Sequence, residues 1–168
     1  MKRHFSKFLF LLFALPLVHT QAQTENTDAF ANIVTPITIA ETRSLHFGTM
    51  SVSATAGTCI LASAGTRTQT GGVTLTNFTP TATSAAYTVT GSANLAYTIA
   101  LPVASVTVTR SGGGTMTITA FTSSKAGNAS TLSGSGSDNF TVGGTLNVGG
   151  SQVAGLYQGN FNVTVAYN

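Results

Sequence analysis

The chain has 168 residues, of which 42% are hydrophobic and 7% charged, with one cysteine and a formal net charge of +3. Few charges with many apolar residues is the reverse of the disordered signature, so the chain should fold. A single cysteine excludes an intramolecular disulfide. The positive balance does not signal nucleic acid, because Lys2, Arg3 and Lys7 supply all of it and phosphate binding needs clustered cations on a folded surface.

Those three cations precede an apolar run from Phe8 to Val18, broken by Pro16, that reaches Thr20-Gln21-Ala22. This is the pattern of a secretory signal peptide over residues 1–22, and the run falls short of the ~20 residues of a membrane span. The expectation is a single mature domain over residues 23–168, beginning at Gln23 and exported to the periplasm, the cell surface or beyond. Nothing suggests membrane insertion of the mature chain. In that domain Arg43, Arg67, Arg110 and Lys125 balance Glu25, Asp28, Glu41 and Asp138.

After the polar stretch Gln23–Asp28 come short Val/Ile/Thr/Tyr/Phe segments separated by Gly, Ser, Asn and Pro clusters, the pattern of an all-β sandwich or barrel. Strands are predicted near 30–40, 44–50, 58–62, 71–76, 85–91, 96–101, 105–110, 115–121, 139–149 and 159–167. Facing residues of a hairpin share one side of a sheet. By that test Val106 meets Ile118 and Val108 meets Met116 around a Ser111-Gly112-Gly113 turn. The same test allows Tyr87 to meet Ile99 and Val89 to meet Tyr97 around Ser92-Ala93-Asn94. A tight hairpin at Gly143-Gly144 fails it, so Phe140, Val142, Leu146 and Val148 are assigned to one long strand whose bend or bulge would let it pass between two sheets.

The strand bodies carry almost no charge, and their outward faces are mostly threonine and serine. Soluble β proteins usually protect exposed edges with charges or proline. Apart from Pro36 and Pro102 such guards are few, which points to edges that are covered or edges meant to pair.

A Ser-His-Asp or Cys-His device needs a histidine beside the nucleophile, and residues 23–168 hold only His46. Its neighbours Leu45 and Phe47 point to the opposite face, so His46 is expected to face outward. One histidine, one cysteine and four scattered acids make a poor zinc, calcium or glycosidase set, and the glycine clusters lack phosphate-loop spacing. The expectation is no enzyme, no cofactor and no metal. Cys59 is expected to be a small buried hydrophobe. Lys125, the sole lysine after the leader, is expected to be solvated in a loop rather than engaged in an isopeptide bond.

Several segments together resemble the secreted bacterial domain-of-unknown-function family four-four-zero-two: Asn32-Ile33-Val34-Thr35-Pro36-Ile37-Thr38-Ile39, Leu45-His46-Phe47-Gly48, Gly71-Gly72-Val73 and Gly144-Thr145-Leu146-Asn147-Val148-Gly149. The fullest is Gln152-Val153-Ala154-Gly155-Leu156-Tyr157-Gln158-Gly159 with Phe161-Asn162-Val163-Thr164-Val165-Ala166-Tyr167. The closing segments are also similar, more distantly, to spore coat protein U-like domains and chaperone-usher pilins. That second resemblance implies an immunoglobulin-like two-sheet β-sandwich completed by a neighbour's N-terminal strand, with a periplasmic chaperone as a partner and no catalytic residues. A donor here would be Phe30 to Ile39, with Ile33, Ile37 and Ile39 as plugs. The alternative is that this segment is the domain's own first strand. The lone Cys59 departs from relatives that carry a disulfide near the start of the domain.

The function expected is a structural or adhesive surface subunit that assembles with copies of itself or related subunits through strand edges. Its contact residues would be Ile33, Ile37, Ile39, Phe161, Val163, Val165 and Tyr167. The competing class is a self-contained secreted module that binds glycans or host proteins through loops, where Phe78 is the clearest aromatic. A hydrolase would require His46 buried beside a serine and a carboxylate.

Overall fold

The computed structural model describes residues 21–168. The chain divides into two compact units at Asn32/Ile33. In the first, residues 21–32 form no regular element and are exposed. The expected leader, apart from its last two residues, lies outside the described residues.

The second unit, Ile33–Asn168, is all-β. Its strands are β1 (Thr38–Arg43), β2 (Met50–Leu61), β3 (Arg67–Leu75), β4 (Ala85–Thr90), β5 (Ala96–Ala100), β6 (Val106–Arg110), β7 (Thr115–Ser123), β8 (Ala129–Thr131), β9 (Ser137–Val148), β10 (Tyr157–Gln158) and β11 (Thr164–Tyr167). A short 3-10 turn at Ala126–Asn128 precedes β8. The larger sheet runs β1-β4-β9-β7-β6-β10, with β2 joined to β9 and β3 to β2; the smaller runs β11-β5-β8.

The spine is β9. One of its edges pairs first with β4, over Ser137–Val142, and then with β2, over Gly144–Val148, while its other edge pairs with β7. The alternation of Phe140, Val142, Leu146 and Val148 runs through Gly143-Gly144 as one strand, and these four side chains are buried. Glycine is required at 143 because a Cβ there would overlap the Leu61 carbonyl oxygen, where the end of β2 meets β9. The irregularity falls on β7 instead: its register shifts between Thr119 and Thr122, with Ala120 at φ 49°. So β9 does not pass between sheets.

The β6–β7 hairpin has the register expected, Val106 opposite Ile118 and Val108 opposite Met116. Its turn closes with the Arg110 N–H donating to the Gly114 carbonyl at 3.1 Å. The β4–β5 hairpin does not form. Strand β4 pairs with β1 and β9, and β5 with β11 and β8. Tyr87, Val89, Tyr97 and Ile99 nonetheless share one core cluster. They face one another from two sheets, and an alternation test cannot tell that arrangement from neighbours within one.

Other boundaries move for identifiable reasons. The first ladder starts at Thr38, because Pro36 has no N–H to give and fixes its own backbone. The 44–50 segment supplies one isolated bridge, His46 with Thr83. The expected 159–167 strand is confined to Thr164–Tyr167, with β10 standing apart before it.

Two apolar clusters fill the interior. One gathers Phe47, Cys59, Leu61, Val73, Val108, Ile118, Leu146 and Val148 under the β2–β3 end; the other gathers Ala85, Tyr87, Val89, Tyr97, Ile99, Leu132, Phe140 and Val142 where the small sheet covers the large. Leu45 and Phe121 pack against both. Tyr87 stacks on its cross-strand partner Phe140 at 5.2 Å between centroids. Burying side chains of this size contributes roughly 1.5–3 kcal/mol each, so packing can hold the fold without a disulfide. Outside, hydroxyls form cross-strand rungs: Thr38 with Thr90, Thr58 with Thr70, and Thr88 donating to Asn139, each at 2.7 Å. Such pairs give an uncharged face its own cohesion.

Candidate functional site

Six of the seven candidate contact residues meet in one place. Ile37 and Ile39 from the start of the unit, and Phe161, Val163, Val165 and Tyr167 from its end, all pack against the second core cluster and stay half-buried. They line a seam where β1 and β11 approach each other. Among the described residues β1 pairs only with β4 and β11 only with β5, so each borders the seam with an unpaired edge. Ile33 does not join them; it is 98% exposed.

Alternation explains the seam. Residues 37 and 39 share one face of an extended strand, as do 161, 163, 165 and 167. Tyr167 fixes one end by donating to the Thr35 carbonyl at 2.8 Å and accepting from the Ser92 N–H at 2.6 Å. The Thr35 N–H in turn donates to Ser92 Oγ at 2.7 Å. At the other end Phe161 packs on Phe121, 4.7 Å between centroids. Residues Thr38–Arg43 are thus the unit's own first strand.

Beyond Phe161 the seam widens into a groove of about 1070 Å³. Val108, Met116, Ile118, Leu146 and Val148 form its floor, and the 45–52 and 152–159 segments its walls. Arg67 braces the first wall, donating to the Phe47 and Thr49 carbonyls at 3.0 and 3.2 Å and to that of Thr76 at 2.7 Å. In the second wall the Tyr157 hydroxyl donates to the Val153 carbonyl and accepts from Gln152 Nε2, both at 2.8 Å. The Gln152–Gly159 motif stood out in the sequence, yet its part as a groove wall was not legible there.

Polar side chains are employed in holding the chain. His46 is half-buried, and its Nδ1 accepts from the Gly48 N–H at 2.8 Å, shaping the turn into the groove wall. Cys59 is fully buried, and burial pushes its thiol up, Arg67 opposing weakly. Lys125 is not a solvated loop lysine: its Nζ lies 2.8 Å from Asp138 Oδ1, and both side chains are mostly covered. Desolvation would raise the Asp138 carboxyl, but hydrogen bonds from Lys125, Ser130, the Asn139 N–H and Tyr97 prevail and hold it down at about 2. The same site pushes the Tyr97 phenol up to about 12, first through burial and then through Asp138. Lys125 and Asp138 thus form an ion bridge between the turn before β8 and the start of β9. Among the described residues no three His, Cys, Asp or Glu side chains converge as metal ligands, and no helix is long and apolar enough to cross a membrane.

These features define a class, an all-β domain of antiparallel sheets with an apolar seam bordered by free strand edges. The chain belongs to the family described as Domain of unknown function (DUF4402), whose model matches residues 37–167 and so takes in every strand from β1 to β11. No curated protein and no solved structure matches the chain.

Proposed function

We propose that this protein is a secreted structural or adhesive subunit of a cell surface, an immunoglobulin-like two-sheet sandwich behind a cleaved leader, which assembles with its own kind through strand edges. The observation that carries this reading is the free edge of β11. Among the described residues Thr164–Tyr167 pairs on one side only, and the stretch Asn160–Asn168 contains no charge and no proline to discourage a second strand. The half-buried apolar row beneath that edge gives an added strand surface to cover. The Tyr157 hydroxyl reaching back to Val153 resembles the tyrosine tie at a corner of immunoglobulin-like sandwiches, which supports the finer fold assignment.

The test is mass by light scattering, with electron microscopy, on the full chain expressed with its own leader. Multimers or filaments are expected, and Val163→Lys should abolish them, since its ammonium can reach water from the half-buried seam without unfolding the domain. Assembly unchanged in that variant would remove β11 as the contact. A second reading, a self-contained binding module, draws on the groove, whose volume is slightly above the roughly 300–1,000 Å³ usual for ligand pockets. A chain that stays monomeric yet binds glycan or protein would favour it.

A further inference from the structure

We infer that the outer face of the larger sheet binds an extended, uncharged, β-linked polysaccharide along a row of hydroxyl and amide side chains. This names a ligand class for the adhesive reading and does not need the edge pairing. The row follows from strand register. Thr70 lies opposite Thr58, Thr58 opposite Asn147, Asn147 opposite Thr117 and Thr117 opposite Thr107, so one polar line crosses β3, β2, β9, β7 and β6. The alternate residues Cys59, Leu146, Ile118 and Val108 are buried in the core, which puts the line on the opposite face. Thr70 and Thr107 are exposed, and the three residues between them are half-buried. A second row, Thr68, Ile60, Thr145 and Thr119, runs beside the first in the same register.

Asn147 orients the centre of this face. Its Nδ2 donates to Thr119 Oγ1 at 3.1 Å, to Thr117 Oγ1 at 3.4 Å and to the Thr117 carbonyl at 3.2 Å. Two hydroxyls that accept from one amide keep their own protons for an outside acceptor. Neither row holds a charged side chain, so nothing on it neutralises a phosphate. A lipid surface would ask for an apolar face, and an added peptide strand for an edge. A neutral polyhydroxyl chain can exchange hydrogen bonds along the whole row, and Ile60, 39% exposed, meets the C–H side of a sugar ring. Successive strands lie about 4.8 Å apart, close to the length of one sugar in an extended β-linked chain, so hydroxyl can follow hydroxyl from strand to strand. Adjacent strands also rotate by roughly 20–25°, so the row winds and suits a single free chain rather than a flat crystal face. With no aromatic ring in either row, each sugar is held weakly and affinity builds with chain length.

The test sediments the full chain with amorphous cellulose and titrates it with soluble cello-oligosaccharides in a calorimeter. The protein should sediment with the polymer, bind the oligosaccharides more tightly as they lengthen, and ignore alginate, which carries a carboxylate on every sugar. Thr58→Val and Thr117→Val each remove one hydroxyl from the outer face with little change of shape, and valine is a good strand former, so both variants should fold. Each should weaken binding about fivefold, the share of one hydrogen bond. Thr131→Val, exposed in the small sheet, and Leu156→Asp, on the groove wall, should bind like the unsubstituted chain. Unchanged binding in both row variants, alginate held as well as cellulose, or binding lost in Leu156→Asp overturns the inference, the last by moving the site to the groove. Val163→Lys separates it from edge pairing. Oligosaccharide binding retained in a monomeric Val163→Lys supports the outer face as the site, whereas a chain that assembles but holds no glucan leaves edge pairing standing and overturns the inference.

Discussion

The Tyr167 hydroxyl donates to the Thr35 carbonyl at 2.8 Å, so the last strand holds the entry to the first across 132 positions of sequence. Its second bond, from the Ser92 N–H, places the β4–β5 connection at the same point. Removing the oxygen leaves an N–H and a carbonyl to find water. Tyr167→Phe should cost about 1–2 kcal/mol in denaturant unfolding. It should also speed proteolysis at residues 33–37, and an unchanged cleavage rate would show that the hydroxyl does not secure this entry.

The Asp138 site predicts an acid limb. Its carboxyl is lowered in the fold, so the stabilisation is present above the ordinary carboxyl range near pH 4 and is lost as pH falls toward about 2. The loss should be about 2 kcal/mol at most, and Asp138→Asn should flatten that part of a stability-against-pH curve. At the alkaline end the raised Tyr97 phenol works the other way: its contribution is intact below pH ~10 and disappears as pH rises through about 12. An acid limb equally steep in Asp138→Asn would place the titration elsewhere.

Cys59 is fully buried, with an elevated thiol, and should resist a thiol reagent at neutral pH until the protein is unfolded. Cys59→Ala should cost about 1–2 kcal/mol, and Cys59→Ser more, since the new hydroxyl would need a partner in an apolar site. A Cys59-linked dimer on a non-reducing gel would contradict this placement.

Gly143→Ala should destabilise by about 1–3 kcal/mol, because its Cβ meets the Leu61 carbonyl, which β2 cannot easily move. Gly134→Ala, where an added Cβ meets nothing, is the matched control and should be near neutral. Similar unfolding midpoints for the two would show that β2 and β9 have slack at their junction.

What could be read from the chain was whatever period two and local glycines determine. The β6–β7 register and the unbroken β9 follow from alternation, and so does the membership of the seam, since Ile37 and Ile39 and the odd-numbered residues from Phe161 to Tyr167 each form one face. Contacts that depend on which sheet a strand joins left no such trace, so Tyr87 and Ile99 passed a hairpin test while lying in opposite sheets. Lys125 and Asp138 looked like separate loop charges because the strand between them, Ala129-Ser130-Thr131, is too short and polar to stand out. The groove depends on where the small sheet stops covering the large one, a property of tertiary packing rather than of any segment.

Strand β9 comes late in the chain and yet borders β4, β2 and β7. As a polypeptide emerges from its N-terminus, the β1–β4, β2–β3 and β6–β7 pairings can form, but they remain separate pieces until residues 137–148 arrive to join them. Such distant pairings form slowly. The larger sheet is therefore complete only when β9 meets the ladders made before it, so three separately paired regions of the chain depend on one late partner for their common sheet.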